Sequence, residues 1–136
     1  MAFIYADSCI VIYLIEGDFS RRERIAEYLL RFESVPNRIG FSDLTRMECL
    51  IHPVRERNVQ LRSAYEEFFN GPCSDYIPLS SEVFEKATEL RAEYIVKTPD
   101  AIHLAAALVS RCDVFLTNDL RLNRVDVGIS IEVPPF

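Results

Sequence analysis

The sequence predicts an α/β fold: a single-domain α/β/α sandwich with a mostly parallel central sheet, spanning residues 1–136. Three observations lead there. Short apolar runs of strand length alternate with longer segments of helical period, and parallel neighbours require such crossover helices. The 136 residues suit one ordinary domain with a substantial core. No repeat, linker or low-complexity tract divides the chain.

Phe3-Ile4-Tyr5-Ala6 reads as a short buried strand ending at Asp7-Ser8, and Cys9 to Ile15 as a buried helix ending near Gly17. Ser20 and Glu23 form a capping box for a second helix. Ile25, Tyr28, Leu29 and Phe32 lie on its apolar side, and Arg21, Arg22, Glu27 and Arg31 face solvent. Arg38 to Phe41 forms a brief strand. Ser42 or Asp43 then caps a helix whose apolar face is Leu44, Met47 and Ile51, ending before Pro53. Leu61, Ala64, Tyr65 and Phe68 mark a helix from about Val59 to Phe69, stopped by Asn70-Gly71-Pro72. Tyr76 to Leu79 is the next strand. From Ser80 onward Val83, Ala87, Leu90 and Tyr94 define a long amphipathic helix. Thr98-Pro99 supplies an N-cap and a proline at the first helical position. The body that follows, Ala101 to Val109, is apolar nearly all round, as befits a helix packed on both sides. Val114 to Leu116 and Ile129 to Val133 complete the strands.

The bulk properties exclude several classes. No apolar run approaches the roughly 18 residues of a membrane span, and the start lacks the basic region of a secretion signal. Cys9, Cys49, Cys73 and Cys112 are scattered, without a C-x-x-C pair, so neither a zinc site nor a disulfide framework is indicated and a reducing cytoplasm is the expected home. A net charge of −6 argues against a protein that coats nucleic acid through a basic face. Only Lys86 and Lys97 among the fifteen basic residues are lysine, and arginine suits bidentate phosphate recognition better. The clusters Arg21-Arg22-Arg24 and Arg55-Arg57-Arg62 are therefore candidate phosphate-facing surfaces, although a solvated helix face accounts for them as well.

In a parallel sheet the ligand crevice lies beyond the carboxyl ends of the strands. Asp7 and Asp119 fall at strand exits, Asp100 lies in the first turn of a helix and Glu48 lies early on another, whereas Asp75 and Asp113 precede their strands and belong at the opposite edge. Each acid alone has an ordinary structural use as a cap, turn or solvated residue. Four converging carboxylates would repel unless a cation sat among them. Oxygen ligands without a histidine or cysteine set select hard ions, Mg2+ or Mn2+, whose natural reaction is phosphodiester hydrolysis.

Asp7-Ser8 after the first strand, Glu48 on a mid-chain helix, Pro99-Asp100-Ala101-Ile102-His103-Leu104-Ala105-Ala106-Ala107 and Phe115-Leu116-Thr117-Asn118-Asp119 together resemble a PIN domain. Length and element order are similar to those of the VapC-type toxins, and the resemblance covers essentially the whole chain. It implies metal-dependent endoribonuclease activity with Asp7, Glu48, Asp100 and Asp119 as metal ligands. Ser8, Thr117 and Asn118 match positions that support such a site. It also implies homodimers and, for the toxins, inhibition by a cognate antitoxin. Where some PIN domains carry a further acid, this chain has Leu120-Arg121. Arg121 and Arg46 are candidate substrate contacts, and His103 reads as a packing or hydrogen-bonding residue. An RNA-processing nuclease that is no toxin, and a non-catalytic RNA- or protein-binding module, are the alternatives. A receiver domain and a haloacid-dehalogenase-like phosphatase both require residues near Asp7 that this chain lacks, and no glycine-rich phosphate loop is present.

Overall fold

A computed structural model describes residues 2–30 and 38–134. In chain order the elements are β1 (Phe3–Ala6), α1 (Ser8–Glu16), α2 (Phe19–Leu30), β2 (Arg38–Phe41), α3 (Asp43–Arg55), α4 (Val59–Phe69), β3 (Ser74–Tyr76), α5 (Ser81–Glu93), α6 (Thr98–Val109), β4 (Val114–Leu116), a 3-10 helix (Leu120–Arg124) and β5 (Ser130–Glu132). The strands form one sheet in the order β3-β2-β1-β4-β5, and every neighbouring pair is parallel.

Strand alternation builds the sandwich. Ile4 and Ala6 of β1 and Val114 and Leu116 of β4 face one side, where Ile10, Val11, Ile25, Leu50 and Tyr65 pack on them. Tyr5 and Phe115 face the other, against Val83, Leu90, Leu104 and Ala105. Successive side chains on a strand point to opposite faces, so short apolar runs buried on both sides are what two helical layers require. Helices α1 to α4 supply one layer; α5 and α6 supply the other.

Connectivity then fixes where a crevice can form. From β1 the chain moves outward through β2 to β3, then returns across the sheet to β4 and β5. The switch falls between β1 and β4, where Asp7 N–H donates to the Leu116 carbonyl at 2.9 Å. Beyond that junction lies the crevice expected of an open parallel sheet. At the opposite edge Asp113, just before β4, accepts from the Phe3 N–H at 2.8 Å, as expected; Asp75 lies inside β3 instead of before it, and its side chain pairs with Arg38 at the start of β2.

Several local expectations need correction. Asp18 caps α2 by accepting from the Arg21 N–H at 2.8 Å, so Ser20 lies inside the helix and the Ser20/Glu23 box does not form; Arg31 and Phe32 lie outside the described residues. Ser42 does cap α3, but its box partner is Thr45, and the helix continues through Pro53. The buried face of α3 is Thr45, Cys49, Leu50 and Pro53, whereas Met47 and Ile51 are 54% and 45% exposed. Polar contacts with the neighbouring elements set this rotation: Thr45 meets Tyr5, Glu48 meets Ser8, and the Cys49 thiol donates to the Ser8 carbonyl. Strand β3 spans Ser74–Tyr76, earlier than Tyr76 to Leu79, because Pro78 has no N–H to continue a ladder. Lys97, not Thr98, occupies the N-cap of α6 and makes no side-chain capping bond, and Pro99 sits one position inside the first turn. Strand β5 covers only Ser130–Glu132 of the expected Ile129 to Val133. Among the described residues no helix is long and apolar enough to cross a membrane.

Candidate active site

Asp7 leaves β1 and caps α1. One carboxylate oxygen, Oδ1, accepts from the Ser8 N–H at 2.8 Å; the other accepts from the Thr117 hydroxyl at 2.9 Å. Thr117, fully buried at the exit of β4, also accepts from the Asp119 N–H at 3.1 Å. A single hydroxyl therefore ties the exits of the two central strands together.

Glu48 approaches from α3. Its Oε1 accepts from the Ser8 hydroxyl at 2.6 Å and lies 2.5 Å from His103 Nε2. Burial pushes the Glu48 carboxyl up, but the hydrogen bonds from His103 and Ser8 outweigh it and hold the group below its ordinary value. His103 Nε2 also comes within 3.8 Å of Asp7 Oδ1, which joins Asp7, Ser8, Glu48 and His103 into one connected group.

Asp100 stands in the first turn of α6, half-buried, and no hydrogen bond or ion pair reaches its carboxyl among the described residues. Burial, then the charges of Asp7 and Asp119, push it above the ordinary carboxylate value. Asp119 behaves oppositely. Arg121 grips it through Nε to Oδ1 at 3.0 Å and Nη2 to Oδ2 at 2.8 Å, and these bonds hold its carboxyl down. A cleft of about 160 Å³ opens between Asp100 and Asp119, with Lys97, Arg121 and Arg124 on its rim.

The fold thus brings Asp7, Asp100 and Asp119 within electrostatic reach and links Glu48 to Asp7 through Ser8 and His103. Among the described residues, however, no three His, Cys, Asp or Glu side chains stand close enough to ligate one ion. Two of the four acids are turned to other partners, Glu48 to His103 and Asp119 to Arg121. The residues nonetheless fit a hard cation. The donors are all oxygens, and Asp100 is a half-buried carboxylate raised by two others with no positive partner hydrogen-bonded to it. Burial and then the Asp7 charge push the adjacent Cys9 thiol up to about 12, so no thiolate competes at neutral pH.

The remaining sequence candidates divide. Ser8 donates its hydroxyl to Glu48. Asn118 instead donates to the Tyr13 hydroxyl at 3.2 Å, away from the acids. Arg46 pairs with Glu66 of α4 beside Phe41, Phe69 and Tyr76, which directs it into a separate hollow. Sequence reasoning passed over Tyr5, Lys97 and Arg124. The signal for Arg124 was its spacing three residues past Arg121, legible only once a 3-10 helix follows Asp119.

The family model described as PIN domain matches residues 4–128. The chain belongs to the PIN domain family. Solved structures similar to this PIN domain include VapBC2 from Rickettsia felis bound to a DNA fragment from its promoter, at 19% identity over 98% of this chain and 99% of that one, TM-score 0.74. A toxin-antitoxin complex from Klebsiella pneumoniae is 25% identical over 93% and 94% of the two chains, TM-score 0.71. The sarcin-ricin loop cleaving toxin VapC20 of Mycobacterium tuberculosis is 14% identical over 92% and 91%, TM-score 0.64. Comparison with curated protein sequences returns no match.

Proposed function

We propose that this PIN domain is a divalent-metal-dependent endoribonuclease, with Asp7, Glu48, Asp100 and Asp119 holding Mg2+ or Mn2+. The observation that carries the reading is Asp100: a half-buried carboxylate at the crevice, raised by burial and by Asp7 and Asp119, with no hydrogen-bonded partner among the described residues. A cation among these groups relieves that repulsion. When bound, such an ion polarises the phosphoryl group, lowers the pKa of the attacking water and stabilises the leaving oxygen. The chain's own residues do the rest. Thr117 and the Ser8 N–H fix both oxygens of Asp7, Ser8 and His103 orient Glu48, and Lys97, Arg121 and Arg124 put positive charge where an RNA phosphate enters. That local charge offsets the acidity of the whole molecule.

The same reading assigns the protein to the toxin half of a toxin-antitoxin pair, acting in the cytoplasm as a homodimer that a small antitoxin restrains. Similarity to VapBC complexes supports it. So does the exposed apolar stripe Met47, Ile51 and Val54 on α3, a surface suited to a protein partner.

Wild type incubated with structured and single-stranded RNA should cut internally in Mn2+ and stop in EDTA. Asp7→Ala should cut about a hundredfold slower or worse, and equal cleavage by both proteins would refute the assignment. Mn2+ should also raise the melting temperature of wild type more than that of Asp7→Ala, since a ligand confined to the folded state stabilises it; an identical shift would remove Asp7 from the ligand set. Growth arrest on expression, relieved by the small gene encoded alongside, tests the toxin role.

A further inference from the structure

Behind the carboxylates runs a buried polar chain. Tyr5 is fully enclosed and His103 is 1% exposed, yet each keeps polar atoms in the interior. The Tyr5 hydroxyl lies 2.6 Å from His103 Nδ1, and also 3.1 Å from Ser42 Oγ and 3.2 Å from Thr45 Oγ1. His103 Nε2 lies 2.5 Å from Glu48 Oε1.

The proton positions follow from what each group can do. An ionised carboxylate only accepts, so His103 Nε2 carries a proton. Its Nδ1 shares a hydrogen bond with the Tyr5 hydroxyl, which fixes the orientation of the ring. The Tyr5 oxygen also meets the Ser42 and Thr45 hydroxyls, which hold the phenol in turn. Both those hydroxyl oxygens already accept a backbone N–H, Ser42 Oγ from Thr45 at 3.4 Å and Thr45 Oγ1 from Ser42 at 3.1 Å, which leaves their own protons free for Tyr5. Glu48 Oε1 receives both Ser8 and His103, while Oε2 accepts no hydrogen bond among the described residues.

We propose that Tyr5 and His103 are positioning residues whose directed hydrogen bonds lock Glu48 by one oxygen and present the other to the metal. This rests on the metal-nuclease reading. Neither residue touches substrate or ion; each acts through Glu48. Groups that orient ligands in this way typically change metal affinity 10- to 100-fold when removed.

The test combines two readouts on metal-free and Mn2+-titrated protein. Imidazole nitrogen NMR, with His52→Asn to assign the only other histidine, should find a proton on His103 Nε2, directed at Glu48. Calorimetry should find Mn2+ affinity about tenfold weaker in Tyr5→Phe and up to about a hundredfold weaker in His103→Leu. His103→Gln, which keeps a donor toward Glu48, should recover most of the loss. Turnover of Tyr5→Phe at saturating Mn2+ should stay within about threefold of wild type. A packing role alone would lower melting temperature and leave Mn2+ affinity intact. Tyr5→Phe keeps the ring and carries the test if His103→Leu does not fold. A ring without a proton on Nε2, or wild-type affinity in Tyr5→Phe, would overturn the relay alone. Absence of any Mn2+ binding by wild type would overturn the metal reading beneath it.

Discussion

Asp100→Asn should abolish RNA cleavage and at the same time raise the melting temperature of the metal-free protein. The two effects share one cause. The carboxyl of Asp100 is pushed above its ordinary value by burial and by Asp7 and Asp119, so its ionised form is less comfortable folded than unfolded. By linkage, that penalty is fully present above the folded pKa, shrinks as pH falls through it, and is gone below the unfolded value of about 3.9. Asparagine keeps the shape and removes the charge. The expected gain in melting temperature is present at neutral pH in EDTA and fades as the buffer is acidified toward about pH 4. Added Mn2+ should reverse the order. At a hundredfold excess over Kd a ligand contributes about 2.7 kcal/mol, roughly 8 °C for a chain of this size, and the variant should receive much less. Cleavage should fall about a hundredfold or more. A variant less stable than wild type in EDTA at neutral pH would mean that Asp100 makes a favourable contact, and the repulsion argument would fail with it.

The sheet was legible because its signals are local. Phe3–Ala6 and Val114–Leu116 are apolar runs and Ile39–Phe41 is buried behind exposed Arg38, and the helices between them carry long 3.6-residue patterns, so element type and order follow from the chain itself. What failed was rotation and boundary. Met47 and Ile51 have the spacing of a core face, yet α3 turns them outward because Thr45 and Cys49 fit against Tyr5 and α1 and bring hydrogen bonds that a hydrophobic count does not weigh. Asp18 displaced Ser20 as the cap of α2 because it lies immediately after the Gly17 that ends α1.

The acids that follow strands could be chosen from sequence because strand direction decides which edge a residue reaches. Asp7 and Asp119 were thereby separated from Asp113, whereas Asp75 falls within β3 because that strand starts earlier than its apolar residues suggest. Their partners were not legible. Arg121 follows Asp119 by two residues and could equally have faced solvent, and Tyr5 meets His103 across 98 residues of chain. Only the packed sheet, with β1 beside β4 and α6 laid over both, brings that hydroxyl to that imidazole.

Phe115→Ala should be among the most damaging single changes near the site. Phe115 is fully buried in β4, pairs in register with Tyr5 of β1, and lies parallel to its ring at 5.5 Å between centroids and 8° between planes. Removing a buried phenylalanine side chain costs about 3–5 kcal/mol, transfer and cavity together, against a total stability of about 5–15 kcal/mol for a typical domain. A fall of roughly 12 °C in melting temperature follows for a chain of this size. Phe115→Leu refills most of the space and should lose about 1–2 kcal/mol. Saturating Mn2+ should recover only part of the alanine loss, since metal binding acts on the folded population and does not refill the cavity. Tyr5→Phe makes the complementary change, keeping the stacked plate and deleting the hydroxyl, so it should leave melting temperature close to wild type relative to Phe115→Ala while weakening Mn2+. If Phe115→Ala instead lost less than about 1 kcal/mol in denaturant titrations, well under the usual cost for a buried ring, the plate beneath Tyr5 would not be what holds β1 and β4 in place. The rigidity ascribed to Tyr5, His103 and Glu48 would then need another source.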